Sequence, residues 1–311
     1  MTMDLLCIGE AMAEIRRGPG QEGFAVGFAV GFAVGFAGDT YNTAVYAKRV
    51  LGTAGQVGFA TRVGHDPLSA GFLDAAQTHG IDTGTIDRDQ SRTLGIYSVT
   101  TDAAGERSFH YWREQSAARV LDAAKLVPAR ILYVSGITLA ILSPARRQAL
   151  LDRLSALKGS CTIAFDSNYR PRLWEDRRIA REAIAHMWAL ADIALPGLDD
   201  EQALFGDASE QAVIARFERG DFAACVIKRG ERGPLSLGDL GPRAAFPPAP
   251  KVVDTTAAGD SFNGGYLAAR LAGKSEPECL RLAHRLASQV IGAPGAIVPT
   301  TAMNAEQGED A

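Results

Sequence analysis

The sequence predicts an α/β protein: a mainly parallel sheet between helices, with a small set of paired strands built from segments near the N-terminus. Three observations predict it. From residue 130 onward, short apolar runs alternate with helical segments, the pattern of parallel βαβ units joined by right-handed crossovers. Residues 94–100 and 107–113 alternate in the manner of paired strands around the turn signal Asp102-Ala103-Ala104-Gly105. The stretch from Asp254 to Tyr266 follows the apolar run Lys251-Val252-Val253 and runs into a helical segment, so it reads as strand, tight turn and helix start.

Taken in order, residues 4–9 form a buried strand around Leu5-Leu6-Cys7-Ile8 that ends at Gly9-Glu10. A repeat follows: Gly23-Phe24-Ala25-Val26 recurs at Gly27 and Gly31, then in altered form as Gly35-Phe36-Ala37-Gly38. Period four contains period two, so in a strand Phe24, Val26, Phe28, Val30, Phe32, Val34 and Phe36 share one face. It is too rich in glycine for a stable helix. It is either an assembly or membrane element or a tandem lengthening of an ordinary strand. Asp39 or Thr40 is placed to cap a helix running to about Arg49, and polar side chains beside Gly38 could hold hydroxyls. Asp66-Pro67 opens another helix, with Gly80 just past its end.

The second strand of the hairpin carries Tyr111, Trp112 and Arg113, and the first carries Tyr97. An arginine among aromatics suits an anionic, hydroxylated ligand, although a surface hairpin with a solvated arginine has the same composition. Ile131–Ser135 is a strand, and Ser143-Pro144 begins a helix closed by Gly159. Thr162–Phe165 is a strand that ends in the polar segment Asp166 to Trp174, which contains Asn168 and Arg170. Open α/β sheets bind ligands beyond such strand ends, but an ordinary polar loop fits too. Asp192–Pro196 is a strand followed by Asp199-Asp200-Glu201. These three carboxylates either hold hydrated Mg²⁺ or form the acidic first turn of a helix. Phe222–Ile227 is a buried strand closed by a turn containing Lys228, Gly230 and Gly233. The final helix covers about 275–291, and the last ten residues, 302–311, read as a disordered tail.

The stretch before that helix carries the chemistry. Ala257, Ala258 and Gly259 have almost no side chain, so a ligand can approach their backbone. Amides at a helix start lack intrahelical partners and, with the helix dipole, favour a phosphate. Asp260 adds a carboxylate able to take a proton from an attacking hydroxyl. A plain cap by Asp260 or Ser261 is the alternative. Gly264 and Gly265 each cost roughly 1 kcal/mol against alanine inside a helix, which argues that something approaches closely there.

Asp254-Thr-Thr-Ala-Ala-Gly-Asp-Ser-Phe-Asn-Gly-Gly-Tyr266 resembles the C-terminal signature of the PfkB (ribokinase-like) sugar kinases, usually Asp-Thr-Thr-Gly-Ala-Gly-Asp, with Ala257 in place of the first glycine. Gly38-Asp39-Thr40-Tyr41-Asn42-Thr43-Ala44 and Gly64-His65-Asp66 resemble two further motifs. Tyr111-Trp112-Arg113 and Asp166-Ser-Asn-Tyr-Arg-Pro-Arg-Leu-Trp174 narrow the likeness to the 2-keto-3-deoxygluconate kinases, over residues up to about 300. The resemblance implies a ribokinase-like three-layer sandwich spanning 1–301, with lid segments about 11–38 and 94–113. It implies ATP-dependent phosphorylation at the substrate's 6-hydroxyl, with Asp260 as base and the amides of Ala257, Ala258 and Gly259 as anion hole. Gly38, Asp39, Asn42, Tyr97, Tyr111, Arg113 and Arg170 would bind the sugar acid, the two arginines its carboxylate. Asn168, Lys228, Gly230, Gly233 and Gly259 would bind ATP. Many relatives place Mg²⁺ with Asn-x-x-Glu, where this chain has Gly197 and Asp200. Asp254 and Thr256 would be candidates for a monovalent cation such as K⁺. A kinase of a neutral sugar and a non-catalytic sugar-acid regulator are the rival readings.

The 311 residues carry a net charge of −4 and a pI near 5.8, which argues against nucleic-acid or anionic-membrane partners. No apolar run reaches the roughly 18 residues of a membrane span. With no signal-like segment at the N-terminus, the expectation is a cytoplasmic enzyme, assembled as a homo-oligomer through the lid. Cys7, Cys161, Cys225 and Cys279 are scattered, without zinc spacing, and read as buried reduced thiols.

Overall fold

Residues 3–17, 32–101, 107–238 and 246–300 are described by a computed structural model of the chain. Its first strand, β1 (Leu5–Ile8), is sealed from solvent along its whole length. Successive side chains leave opposite faces of a strand, so Leu5 and Cys7 enter one core while Leu6 and Ile8 enter another. Both faces of the sheet are covered, which is why its strands read as unbroken apolar runs.

The chain leaves β1 for an antiparallel pair, β2 (Met12–Arg17) and β3 (Phe32–Ala37), and returns through α1 (Asp39–Leu51) to β4 (Val57–Val63). Helix α2 (Pro67–Thr78) begins as expected, with the Asp66 carboxylate accepting the Leu68 and Ser69 amides at 3.1 Å each and Pro67 in first position. Strand β5 (Ile86–Arg88) precedes the expected hairpin of β6 (Gly95–Thr101) and β7 (Arg107–Trp112). The βαβ units follow as β8 (Ile131–Ser135), α3 (Gly136–Ile141), α4 (Pro144–Leu157), β9 (Thr162–Asp166), α5 (Arg177–Leu190) and β10 (Ile193–Ala194). They continue through α6 (Leu198–Phe205), α7 (Glu210–Phe217), β11 (Ala224–Ile227) and β12 (Leu235–Ser236) to α8 (Ala258–Leu271) and α9 (Glu276–Ile291).

Among the described residues the main sheet has the order β12-β11-β10-β9-β8-β1-β4-β5, parallel except for the edge strand β12. Helices α1, α2, α8 and α9 cover one face, and α4 and α5 the other. A second sheet, β3-β2-β6-β7, stands apart from it. All four cysteines are buried free thiols. No helix of the described residues is long and apolar enough to cross a membrane. Most of the repeat, the 102–105 turn and the 302–311 tail lie outside the described residues.

Several local expectations change. Lys251-Val252-Val253 is no strand: Val252 and Val253 are exposed, and the Val253 amide donates to Ile291 O at 2.7 Å, at the end of α9, not to a sheet. Helix α3, capped by Ser135, is an element the sequence pattern did not announce. Neither Asp39 nor Thr40 caps α1. Gly38 holds that position, where an added Cβ would lie 2.1 Å from Glu10 O. Gly264 and Gly265 serve helix packing, not a ligand. A Cβ on the first would sit 2.6 Å from Thr43 O of α1, and one on the second 3.2 Å from Ala283 Cα of α9.

Candidate active site

Strands β1 and β8 are neighbours from which the chain spreads in opposite directions, and the crevice beyond their carboxyl ends is where such sheets bind ligands. A cavity of about 1180 Å³ lies there. Its walls include Glu10 after β1, Asp166, Asn168 and Arg170 at and after β9, Asp200 at the start of α6 and Lys228 after β11. Tyr97, Phe109 and Tyr111 of the small sheet line it as well, and the strand register puts all three on one face of that sheet.

Helix α8 starts at this cavity. Ala257 is its N-cap, in the left-handed region at φ 62°, which a residue with a Cβ adopts only at a cost. The helix's first amides have no carbonyl within it to bond, although the Ala258 N–H turns back to Thr255 O at 3.2 Å. Capping does not explain Asp260 or Ser261. The Ser261 hydroxyl donates to Ala257 O at 2.7 Å and Ala258 O at 3.1 Å, while Asp260 accepts from Asn42 Nδ2 at 2.8 Å. Burial pushes the Asp260 carboxyl up to about 7, helped by the charge of Asp39 and opposed by the Asn42 bond.

Around Asp260 lies a half-buried polar network. Asp39 accepts from the Ser135 hydroxyl and from Asn168 Nδ2, the latter at 3.0 Å, and burial raises its carboxyl too. Asn168 stands at φ 30°, and its amide donates to Asp166 Oδ1 at 3.1 Å. Asp166 accepts from Lys228 Nζ and from Asn263 Nδ2, the second at 2.7 Å. Lys228 also borders the helix start, since a Cβ on Gly259 would lie 3.7 Å from its Nζ. Gly230 and Gly233 line the same side with positive φ, at 58° and 71°.

On the other side, Tyr97 donates to Glu14 and Arg113 to Glu10, all four residues being buried. Arg170 Nη1 donates to Tyr169 O at 3.0 Å and Asp200 Oδ1 at 3.2 Å. Both arginines named for a carboxylate thus reach the cavity already holding an internal one. Asp166, Asn263, Glu10 and Glu14 were missing from the sequence-derived site. In the sequence Glu10 shows only as a carboxylate at a strand's carboxyl end, while Asp166 opens the Asp-Ser-Asn-Tyr-Arg segment without being named for the site.

Asp199, Asp200 and Glu201 do not act together. Asp199 faces solvent, Glu201 is buried against Arg216 at 2.9 Å, and Asp200 alone lines the cavity. No group of three or more His, Cys, Asp or Glu among the described residues could hold a metal ion. Asp254 accepts the Thr256 amide at 3.0 Å and the Gly295 amide at 2.5 Å, tying the approach to α8 to the loop after α9.

Comparison with known proteins gives this geometry its relatives. The chain is 39% identical to the 2-dehydro-3-deoxygluconokinase of Escherichia coli K12, over 98% of this chain and 100% of that one. It is 40% identical to that of Dickeya dadantii, over 98% and 99%. The crystal structure of a PfkB protein from Polaromonas sp. JS666 matches with a TM-score of 0.79 at 27% identity, over 94% of this chain and 98% of that one. A fructokinase double mutant from Vibrio cholerae, bound to fructose, ADP and potassium, shares the fold at 22% identity and a TM-score of 0.81, over 97% and 96%. Residues 2–303 match the model of the pfkB family carbohydrate kinases, and the chain belongs to that family.

Proposed function

We propose that this chain transfers the γ-phosphoryl group of ATP to the 6-hydroxyl of 2-keto-3-deoxygluconate, the 2-dehydro-3-deoxygluconate of its relatives' names. The observation that carries the mechanism is Asp260: a half-buried carboxylate in the first turn of α8, lining a cavity large enough for both substrates. The 6-hydroxyl oxygen forms the new P–O bond as its proton passes to Asp260. The bond from the γ-phosphorus to the bridging oxygen breaks, and ADP leaves with that electron pair. Amides at the start of α8 and the Lys228 ammonium meet the charge on the transferring group, so positioning and electrostatics carry most of the rate.

Gly38, Asp39, Asn42, Tyr97, Tyr111, Arg113 and Arg170 hold the sugar acid, while Asn168, Lys228, Gly230, Gly233 and Gly259 face the nucleotide. Magnesium bound with ATP would neutralise phosphate charge. The residues present fit a hydrated ion carried on the phosphates, because Asp166 and Asp200 already face Lys228 and Arg170. Asp254 braces the α8 approach by accepting the Thr256 and Gly295 amides, and with Thr256 it would be the place for a monovalent cation such as potassium. The small sheet serves as the lid of a single kinase domain, and its outer face joins copies into a homo-oligomer. A kinase that draws on ATP belongs in the cytoplasm.

A coupled ADP-release assay tests this reading across 2-keto-3-deoxygluconate, its galactonate epimer, fructose and ribose. The sugar acids should exceed the neutral sugars in kcat/KM by roughly tenfold or more, the scale of a charge-assisted hydrogen bond. A higher kcat/KM with fructose or ribose would overturn it.

A further inference from the structure

We infer that Asp200 is a positioning residue for the substrate's carboxylate: it holds the Arg170 guanidinium by one nitrogen and leaves the opposite edge free for the sugar acid. The inference rests on the sugar-acid reading above and deepens it.

An arginine side chain has five N–H donors, two of them on Nη1. Here the two bonds of Nη1 go to Tyr169 O at 3.0 Å and Asp200 Oδ1 at 3.2 Å, which accounts for both of its hydrogens. Nε and Nη2 make no hydrogen bond to the described residues. Those two atoms form the edge that meets a carboxylate with two parallel bonds. Two acceptors on Nη1, one of them backbone, fix the plane of the guanidinium, so the free edge has a set direction before any substrate arrives. Both Arg170 and Asp200 line the cavity.

The other arginine does not fit this task as well. Its partner Glu10 is 1% exposed and Arg113 itself 9%, so drawing Arg113 away would strand a buried charge. Arg170 and Asp200 are 52% and 26% exposed, so their pair sits at the cavity wall with water access. An exposed pair contributes little to folding, which leaves orientation as what the pair supplies. Local geometry is specific to this carboxylate. Asp199 faces solvent and Glu201 is taken by Arg216, while a Cβ at Gly197 would lie 3.0 Å from Asp200 Oδ2. Glycine at 197 leaves the room that the Asp200 carboxylate occupies.

The test compares Asp200→Ala, Asp200→Asn and Arg170→Ala with the wild-type protein. Calorimetry measures binding of 2-keto-3-deoxygluconate without nucleotide or divalent metal. Steady-state assays give KM for the sugar acid, KM for ATP and the half-saturating Mg²⁺ concentration. Asp200→Ala should weaken metal-free binding and raise KM for the sugar acid roughly threefold to tenfold, the scale of one partly exposed charge-assisted bond. KM for ATP and the Mg²⁺ requirement should stay within about twofold. Asp200→Asn, whose amide oxygen still accepts from Nη1, should recover most of the loss. A shift in Mg²⁺ requirement or KM for ATP with metal-free binding unchanged would overturn the inference, as would an Asp200→Asn variant no better than Asp200→Ala. If Arg170→Ala weakens metal-free binding and Asp200→Ala does not, the inference alone fails. If Arg170→Ala binds the sugar acid as well as wild type, the carboxylate assignment fails and takes the inference with it.

Discussion

Asp260 owes its chemistry to its surroundings. Burial pushes its carboxyl up to about 7, with the nearby Asp39 charge as the second cause. A general base acts only when deprotonated, so kcat/KM should fall about tenfold per pH unit below that value. Asp39→Asn removes the second cause while keeping an oxygen for Ser135 and Asn168, and it should move the acid limb to lower pH. Profiles of kcat/KM for the two proteins check this, and a limb that stays in place would separate Asp260 from the titration. The sign for folding follows from the same shift. The native carboxyl holds a proton that the unfolded one, with an ordinary value of 3.8, has lost. Its contribution to stability is therefore full below the unfolded value and is lost as pH rises through the folded one.

The small sheet divides its side chains by parity. Tyr97, Phe109 and Tyr111 share the face that lines the cavity. Phe32, Val34 and Phe36 share the other face with Ile15, Ile96 and Trp112 through the strand register. Phe32, Val34 and Trp112 are each more than half exposed there, a large apolar area for a solvated sheet. The proposed homo-oligomer would use this face, so Val34→Lys should dissociate it while the fold survives. Sedimentation velocity checks this, and an unchanged sedimentation coefficient for the variant would place any contact elsewhere. The parallel strands were legible because burial on both faces makes them unbroken apolar runs. Helix α3 was not, being six residues long, and Lys251–Val253 misled because two adjacent valines need not enter a sheet. The helix starts at Asp39 and Asp260 misled for another reason. Cap preference is local, whereas Ser135, Asn168 and Asn42 claim those carboxylates from distant parts of the chain. Glu10 and Glu14 carry no spacing signal, and only the fold shows what they and Asp166 meet.

At the scale of the whole molecule, the site exists because separate elements converge at one end of the sheet. Helices α1 and α8 pack with no room for a Cβ at Gly264, and Thr43 of α1 donates to both Asp39 O and Asp260 O at 3.1 Å. That contact sets Asn42 against Asp260, while β9 and β11 bring Asp166 and Lys228 to the same network. The proposed phosphoryl transfer depends most on Asp260 as the base. The direct measurement is Asp260→Asn, which keeps the side chain's shape, assayed for turnover with 2-keto-3-deoxygluconate and for ATP binding by calorimetry. Turnover should fall by about 10²–10⁴-fold, the contribution of a positioned base, while ATP affinity stays near wild type. Turnover close to wild type would contradict it.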